Sequence, residues 1–307
     1  MAAQPLEGAE SALGGPVTRG RARWNNPPSP TAAALGRTIR NPMGLIGAAI
    51  LLTLMLTALL APWLSPYDPL VQHPGKELLG PTSQFLLGTD SLGRDLLSRI
   101  LYGTRPSIVV GVLAVLLGGG AGIAVGLLAG YIGGWVETIL MRGCDTLFAF
   151  PPILTGIAVL TVLGPGSLNV AYALAISGLP SFARLTRSVV LAEKNRDYVL
   201  SGRAVGLRPG RIMVRHILPN CVAPLLVQLS LFMGIAVLAE AALSFLGLGT
   251  QPPLPSWGSM LSDSRDYLRT DIWIAIWPGV ALALLLLGLN LLSDALREAL
   301  DPHRVNA

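Results

Sequence analysis

What this chain lacks narrows its class first. Only 13% of its 307 residues are charged and only 6% are aromatic. A soluble domain carries about a quarter charged residues, so this composition excludes an aqueous globular fold and makes the bilayer the solvent. A hydrophobic share of 52% and a mean hydropathy of +0.60 agree. Few aromatics beside 35 Gly and 24 Pro fit transmembrane helices that pack closely and bend, and argue against a β-barrel with its aromatic girdles. The expected fold class is an all-α membrane protein.

Catalytic signatures are also missing. The three histidines, His73, His216 and His303, fall in three separate non-membrane segments, and neither H-E-x-x-H nor G-x-S-x-G occurs, which disfavours metalloprotease and serine-hydrolase chemistry. The only lysines are Lys76, in PGKEL, and Lys194, in AEKNR. A phosphate-binding loop needs Gly-Lys followed by Ser or Thr, so the chain is not an ATPase of that type. Cys144 and Cys221 lie in or beside predicted membrane helices and read as buried small hydrophobes, not a disulfide or metal pair. No catalytic residue, metal or cofactor is expected on this chain. The net charge of +5 comes from basic residues placed between apolar segments, where orientation in a membrane accounts for it and nucleic-acid binding need not be invoked.

What is present is a series of apolar runs. Residues 1–36, rich in Ala, Gly, Pro and Arg without apolar period, read as a disordered cytoplasmic tail, and residues 37–307 as the membrane domain. Six transmembrane helices are expected over about 43–64, 108–130, 139–163, 170–190, 222–245 and 272–292. Leu96, Leu97, Ile100 and Leu101 form a short apolar stripe that predicts a helix lying on the membrane surface. Gly118, Gly122, Gly126 and Gly130 recur every fourth residue in the second span, giving a face that another helix can approach closely. In the third, Arg142 and Asp145 at i, i+3 are expected to neutralise each other, and Pro151 and Pro152 to kink the helix. Glu240 is the one carboxylate well inside a predicted span; a place on a transport pathway and a polar tie within the bundle both fit it. Sixteen Arg and Lys residues fall on the side that holds the termini and six on the other, which puts both termini and the loop 191–219 in the cytoplasm.

That loop is the longest polar interruption. In RDYVLSGRAVGLRPGRIMVRHILPN, residues 196–220, Tyr198 to Val205 can form a short helix, Gly206 suits a left-handed cap and Pro209 the first turn of a second helix. Arg208, Arg211 and Arg215 would share one face of that second helix, and Val214 with Leu218 another, stickier one. A docking element for a soluble partner is one reading; a plain cytoplasmic loop obeying the charge rule is the other.

Four blocks in order resemble the permease subunits of ABC importers for peptides and nickel, specifically the second permease of the pair: GTDSLGRDLLSRILYGTRPS (88–107), MRGCDTLFAFPP (141–152), DYVLSGRAVGLRPGRIMVRHILPN (197–220), and AALSFLGLGTQPPLPSWGSML (241–261) with DALREALDP (294–302). The resemblance implies a type I importer fold in the cytoplasmic (inner) membrane of a prokaryote. It implies a heterodimer with a second homologous permease, two ATPase subunits or domains that carry ATP and Mg, and an extracytoplasmic substrate-binding protein. It further implies that residues 200–208 couple to the ATPase: Leu200, Ser201, Gly202, Arg203, Ala204, Gly206, Leu207 and Arg208. The family's Glu-Ala-Ala block falls on Leu200, Ser201 and Gly202, a departure that removes the charged contact of the Glu; it implies either an ATPase with a different surface or a polar contact carried by Arg203 and Arg208. Glu240, Pro151 and Pro152 are the pathway or gate candidates. Di- or oligopeptides are the implied substrates, with nickel or a metal chelate as the alternative; a passive channel and a membrane scaffold are the readings from other classes.

Overall fold

A computed structural model describes residues 41–300; the expected tail, residues 1–36, lies outside them. Helix α1 (Pro42–Leu64) begins where the Asn41 side chain accepts the Met43 N–H and Pro42 occupies the first turn. Helix α2 (Leu96–Ala114), capped by Asp95, passes through a π-turn at Val115–Gly119 into α3 (Gly120–Ile132). Next come α4 (Gly134–Phe148), α5 (Pro152–Leu163), α6 (Ser167–Glu193), α7 (Asp197–Ala204) and α8 (Pro209–Ile212). A second π-turn, Met213–Ile217, joins α8 to α9 (Leu218–Phe245), followed by α10 (Trp257–Ser264) and α11 (Trp273–Leu300). The described residues contain no strand, only an isolated bridge between Thr89 and Asp95.

Among the described residues, four helices are long and apolar enough to cross a membrane: α1, the 37-residue α2–α3, the 37-residue α8–α9, and α11; α4 with α5 makes a fifth if counted together. Helix α6 has the length, at 27 residues, and falls short on composition. The stripe Leu96–Leu101 is not a separate surface helix. It forms the first turns of α2, because Leu96 is buried with Met260 of α10 and Ile274 of α11, and a helix end covered by protein has no need of the membrane surface. Likewise the predicted second helix of the polar loop is continuous with the fifth span. At Pro151–Pro152 the chain turns by 92°, a break and not a kink: each proline drives the residue before it out of the helical region, and Pro151 itself sits at ψ 136°.

The glycine stripe decides the main packing. A Cβ on Gly118 would lie 2.6 Å from the Ala175 carbonyl oxygen, one on Gly122 2.6 Å from that of Leu179, and one on Gly126 would fall onto that of Ala183. The partners advance by four residues with the glycines, so α2–α3 and α6 lie backbone to backbone in a fixed register. Glycine also seats α1 on α11, since a Cβ on Gly47 would come within 2.9 Å of the Gly288 carbonyl. Cys144 and Cys221 are free and buried, as their apolar neighbours required.

The ends of the bundle differ. Asn41 donates to Glu298 at 2.8 Å, so α1 starts beside the end of α11, and α7–α8 lies at that end too. At the opposite end Asp90 pairs with Arg94 (2.6 Å) and lies 3.3 Å from Arg99, all three largely buried. Buried Trp257 donates from Nε1 to the Ile100 carbonyl at 3.1 Å, pinning α10 across the start of α2.

Candidate functional site

Helix α7 ends in a two-bond cap: the Leu207 N–H donates to the Gly202 carbonyl at 3.0 Å and the Gly206 N–H to that of Arg203 at 2.9 Å. This is the Schellman arrangement, and it requires the residue after the cap to be left-handed. Gly206 is, with φ +79°. Leu207 then folds back so that its Cδ1 would lie 3.4 Å from a Cβ on Gly202, which is why a small residue fits there. Arg208 is extended, and Pro209 starts α8.

The hairpin is nailed to the bundle by apolar side chains. Val199, Ile212 and Ile217 are buried in one cluster with Leu127, Val190, Cys221 and Leu225, and Leu207 packs against it. The expected sticky pair is thereby corrected. Val214 is 61% exposed, whereas Ile212 and Ile217, five residues apart, point inward. A spacing of five is the period of the π-turn between them, which shifts the face by one residue. Arg208, Arg211 and Arg215 are all exposed, though Arg208 precedes the helix in extended backbone and the π-turn lies between Arg211 and Arg215.

Polar contacts fix the hairpin's orientation. Lys194 Nζ donates to the Gly130 carbonyl at the end of α3 (3.0 Å), and the Arg203 guanidinium stacks over Tyr131 at 5.1 Å. The Tyr198 hydroxyl donates to Glu193 (2.6 Å) and accepts from Asn220 (3.2 Å). Burial, with that bond to Glu193, pushes the Tyr198 hydroxyl up to about 12, so it remains a protonated donor at any physiological pH. Apart from Glu193, five residues before Tyr198, these partners come from segments that meet only in the fold.

What remains open to solvent is the opposite face of α7. Leu200, Ser201 and Ala204, at i, i+1 and i+4, are exposed with Arg203, Gly206 and Arg208, and Val205 beside them is 81% exposed. The predicted coupling residues therefore cluster, with Gly202 and Leu207 half-buried as their support.

The three remaining candidates lie elsewhere. Glu240 is 0% exposed; it accepts from Ser107 of α2 at 2.9 Å and from Ser244 at 2.7 Å. It is a tie between α2 and α9. Pro151 and Pro152 are exposed at the α4–α5 break, next to an apolar groove lined by Leu147, Phe150, Leu154, Val162 and Ile176. The expected self-neutralising pair is also corrected: Asp145 bonds Arg184 of α6 at 2.7 Å, and Glu137 accepts from Arg187 Nε at 2.6 Å. The two carboxylates of α4 tie it to α6, and Arg142 stays exposed beside them. Cross-helix geometry offered better partners than i, i+3 spacing did.

A bundle of membrane-length helices bearing a capped hairpin defines a polytopic helical membrane protein. More particularly, the chain belongs to the family described as binding-protein-dependent transport system inner membrane components, whose model matches residues 122–306; residues 29–81 match the N-terminal transmembrane domain of oligopeptide transport permease C. It is 44% identical to the di/tripeptide transport system permease protein DppC of Pseudomonas aeruginosa, over 91% of this chain and 94% of that one. It is 45% identical to the glutathione transport system permease protein GsiD of Pectobacterium atrosepticum, over 87% and 89%. Among solved structures, an inward-facing form of the MetNI methionine ABC transporter aligns with a TM-score of 0.55 at 16% identity, covering 67% of this chain and 98% of that one, a likeness of fold.

Proposed function

We propose that this chain is one permease of an ATP-driven importer of di- or oligopeptides, that it pairs with a second, different permease, and that α7 with its Gly206 turn seats in a cleft of an ATPase subunit. A soluble binding protein delivers the peptide at the end bearing α10. Two ATPase subunits or domains bind ATP and Mg and do the hydrolysis at the hairpin end, which faces the cytoplasm together with both termini. The substrate class is supported by the DppC relatives, at 41–44% identity over most of their length.

The observation that carries the coupling role is the hairpin's two-sidedness. One side is locked to α3, α6 and α9 by Val199, Ile212 and Ile217, so a push on the other is delivered to the membrane helices instead of being absorbed locally. The open side offers Leu200, Ala204 and the small Ser201, ringed by Arg203 and Arg208, which suits a cleft with acidic margins. The α4–α5 break at Pro151–Pro152 serves as the flexing point of the pathway, and Glu240 positions α2 and α9 so that they move together.

Gly206→Asp tests this. No atom lies within 4 Å of the Cβ it would add, so the cost in this chain is the left-handed backbone alone, about 1 kcal/mol. The assembled permease pair should retain its yield and melting temperature while co-purification of the ATPase and peptide uptake both collapse. Wild-type ATPase recovery and uptake would sink the coupling role. Nickel uptake unaffected by competing dipeptide would transfer the substrate to the metal-chelate class.

A further inference from the structure

Away from the hairpin, α1 and α2 part to leave a groove of about 420 Å³ walled by Leu52, Met55, Leu59, Ile108 and Val109, with Arg105 at one end. All its walls except Arg105 are apolar, and both helices qualify as membrane spans. The arginine is there for a specific reason. Pro62, inside α1, has no N–H, so the carbonyl of Ala58 four residues earlier loses its helical donor. Arg105 Nε fills the gap, donating to the Ala58 carbonyl at 2.7 Å, and its Nη2 reaches that of Leu59 at 3.5 Å. Tyr102 supports the guanidinium from below, its ring centre 5.0 Å from Cζ. Two of the five N–H groups of an arginine are thus engaged, and the others have no protein acceptor among the described residues.

A held guanidinium with spare donors, at the head of an apolar slot facing the bilayer, matches one kind of molecule. The geometry points to a phospholipid bound here, its phosphodiester on the free edge of Arg105 and one acyl chain along the α1–α2 groove. Arginine's fork bonds phosphate oxygens in pairs, and the slot runs from Leu59 to Leu52, roughly 10 Å of helix, away from the α2 start and toward the bilayer middle. Arg105 lies nine residues into α2, a depth that suits a lipid phosphate and not the hydrocarbon centre. The lipid would close the seam between α1 and α2 at the end opposite the hairpin. The inference is independent of the importer reading.

Native mass spectrometry of the delipidated complex tests it with three probes: dioleoyl phosphatidylglycerol, the dioleoylglycerol that lacks the phosphate, and glycerol phosphate that lacks the chains. One phosphatidylglycerol should bind at least tenfold tighter than either fragment. Arg105→Gln retains a donor for the Ala58 carbonyl while removing the charge, and Val109→Trp fills the slot with Arg105 intact; each should lower that affinity about tenfold at unchanged melting temperature. Equal lipid retention in wild type and both variants overturns the site. So does equal binding of either fragment, or a photocrosslinker at Val109 that captures a protein subunit of the complex with no lipid adduct.

Discussion

Helices α1 and α6 invert the ordinary relation between hydrophobicity and burial. Helix α1 is apolar but for Thr53 and Thr57, yet only Gly44, Gly47 and Ala61 of its 23 residues are buried, and Leu59 and Trp63 are 68% and 79% exposed. Helix α6 is the long helix that fails as a membrane span on composition, yet eleven of its 27 residues are buried. In water the core is the apolar part. In a bilayer the surface must be apolar and the interior need only be close-packed and hydrogen-bonded. Hydropathy therefore reports contact with lipid, and α6, wrapped by α3, α5 and α9, is released from that demand.

Breaking the α6 seat should have the largest effect. Gly122→Leu drives side-chain atoms into the Leu179 carbonyl and Phe182, where backbone must give way, and should cost about 3 kcal/mol. Leu116→Val, at a position 64% exposed, should stay within about 0.5 kcal/mol. Melting temperatures of the detergent-solubilised complex compare the two, and equal values would refute the glycine face as an interface. Next comes the buried tie. Glu240→Ala strands the Ser107 and Ser244 hydroxyls beside a cavity and should cost about 2 kcal/mol, whereas Glu240→Gln, which still accepts, should cost less than half of that. Denaturation of both variants decides whether the carboxylate is structural.

The α4–α6 ion pairs sharpen the comparison further, because they are polar and solvent-facing. A double-mutant cycle on Asp145 and Arg184, each about half exposed, should return a coupling of about 0.5 kcal/mol, and one that vanishes in 1 M salt. The smallest effect belongs to α1. Leu59→Ala removes Cγ and both Cδ atoms from a side chain that is 68% exposed and belongs to no core cluster, so the melting temperature should not move measurably; a loss comparable to Gly122→Leu would show that α1 is covered by another subunit.

The hairpin residues and the glycine stripe were legible because each rests on local chemistry: Gly206 is left-handed since its cap demands it, and Gly118 through Gly130 repeat at the helix period. Arg142 with Asp145, Val214 with Leu218, and the surface helix at Leu96 were not. Each was assigned from regular spacing along one helix. Arg184 and Met260, from elsewhere in the chain, overrode the first and the last, and the local π-turn at Met213–Ile217 overrode the middle one, turning Ile217 inward and leaving Val214 exposed while Leu218 packs. Pro62 and Arg105, 43 positions apart, carried no readable link at all.

Composition and apolar run length by themselves determined that the chain lives in a bilayer, since no other solvent accommodates so few charges, and local cap and turn chemistry determined where its one exposed hairpin bends. Which helix is innermost, which arginine meets which carboxylate, and which carbonyl freed by a proline finds a donor were decided only by the tertiary structure. Those outcomes depend on the distance between segments remote in sequence, and neither periodicity nor hydropathy encodes that distance.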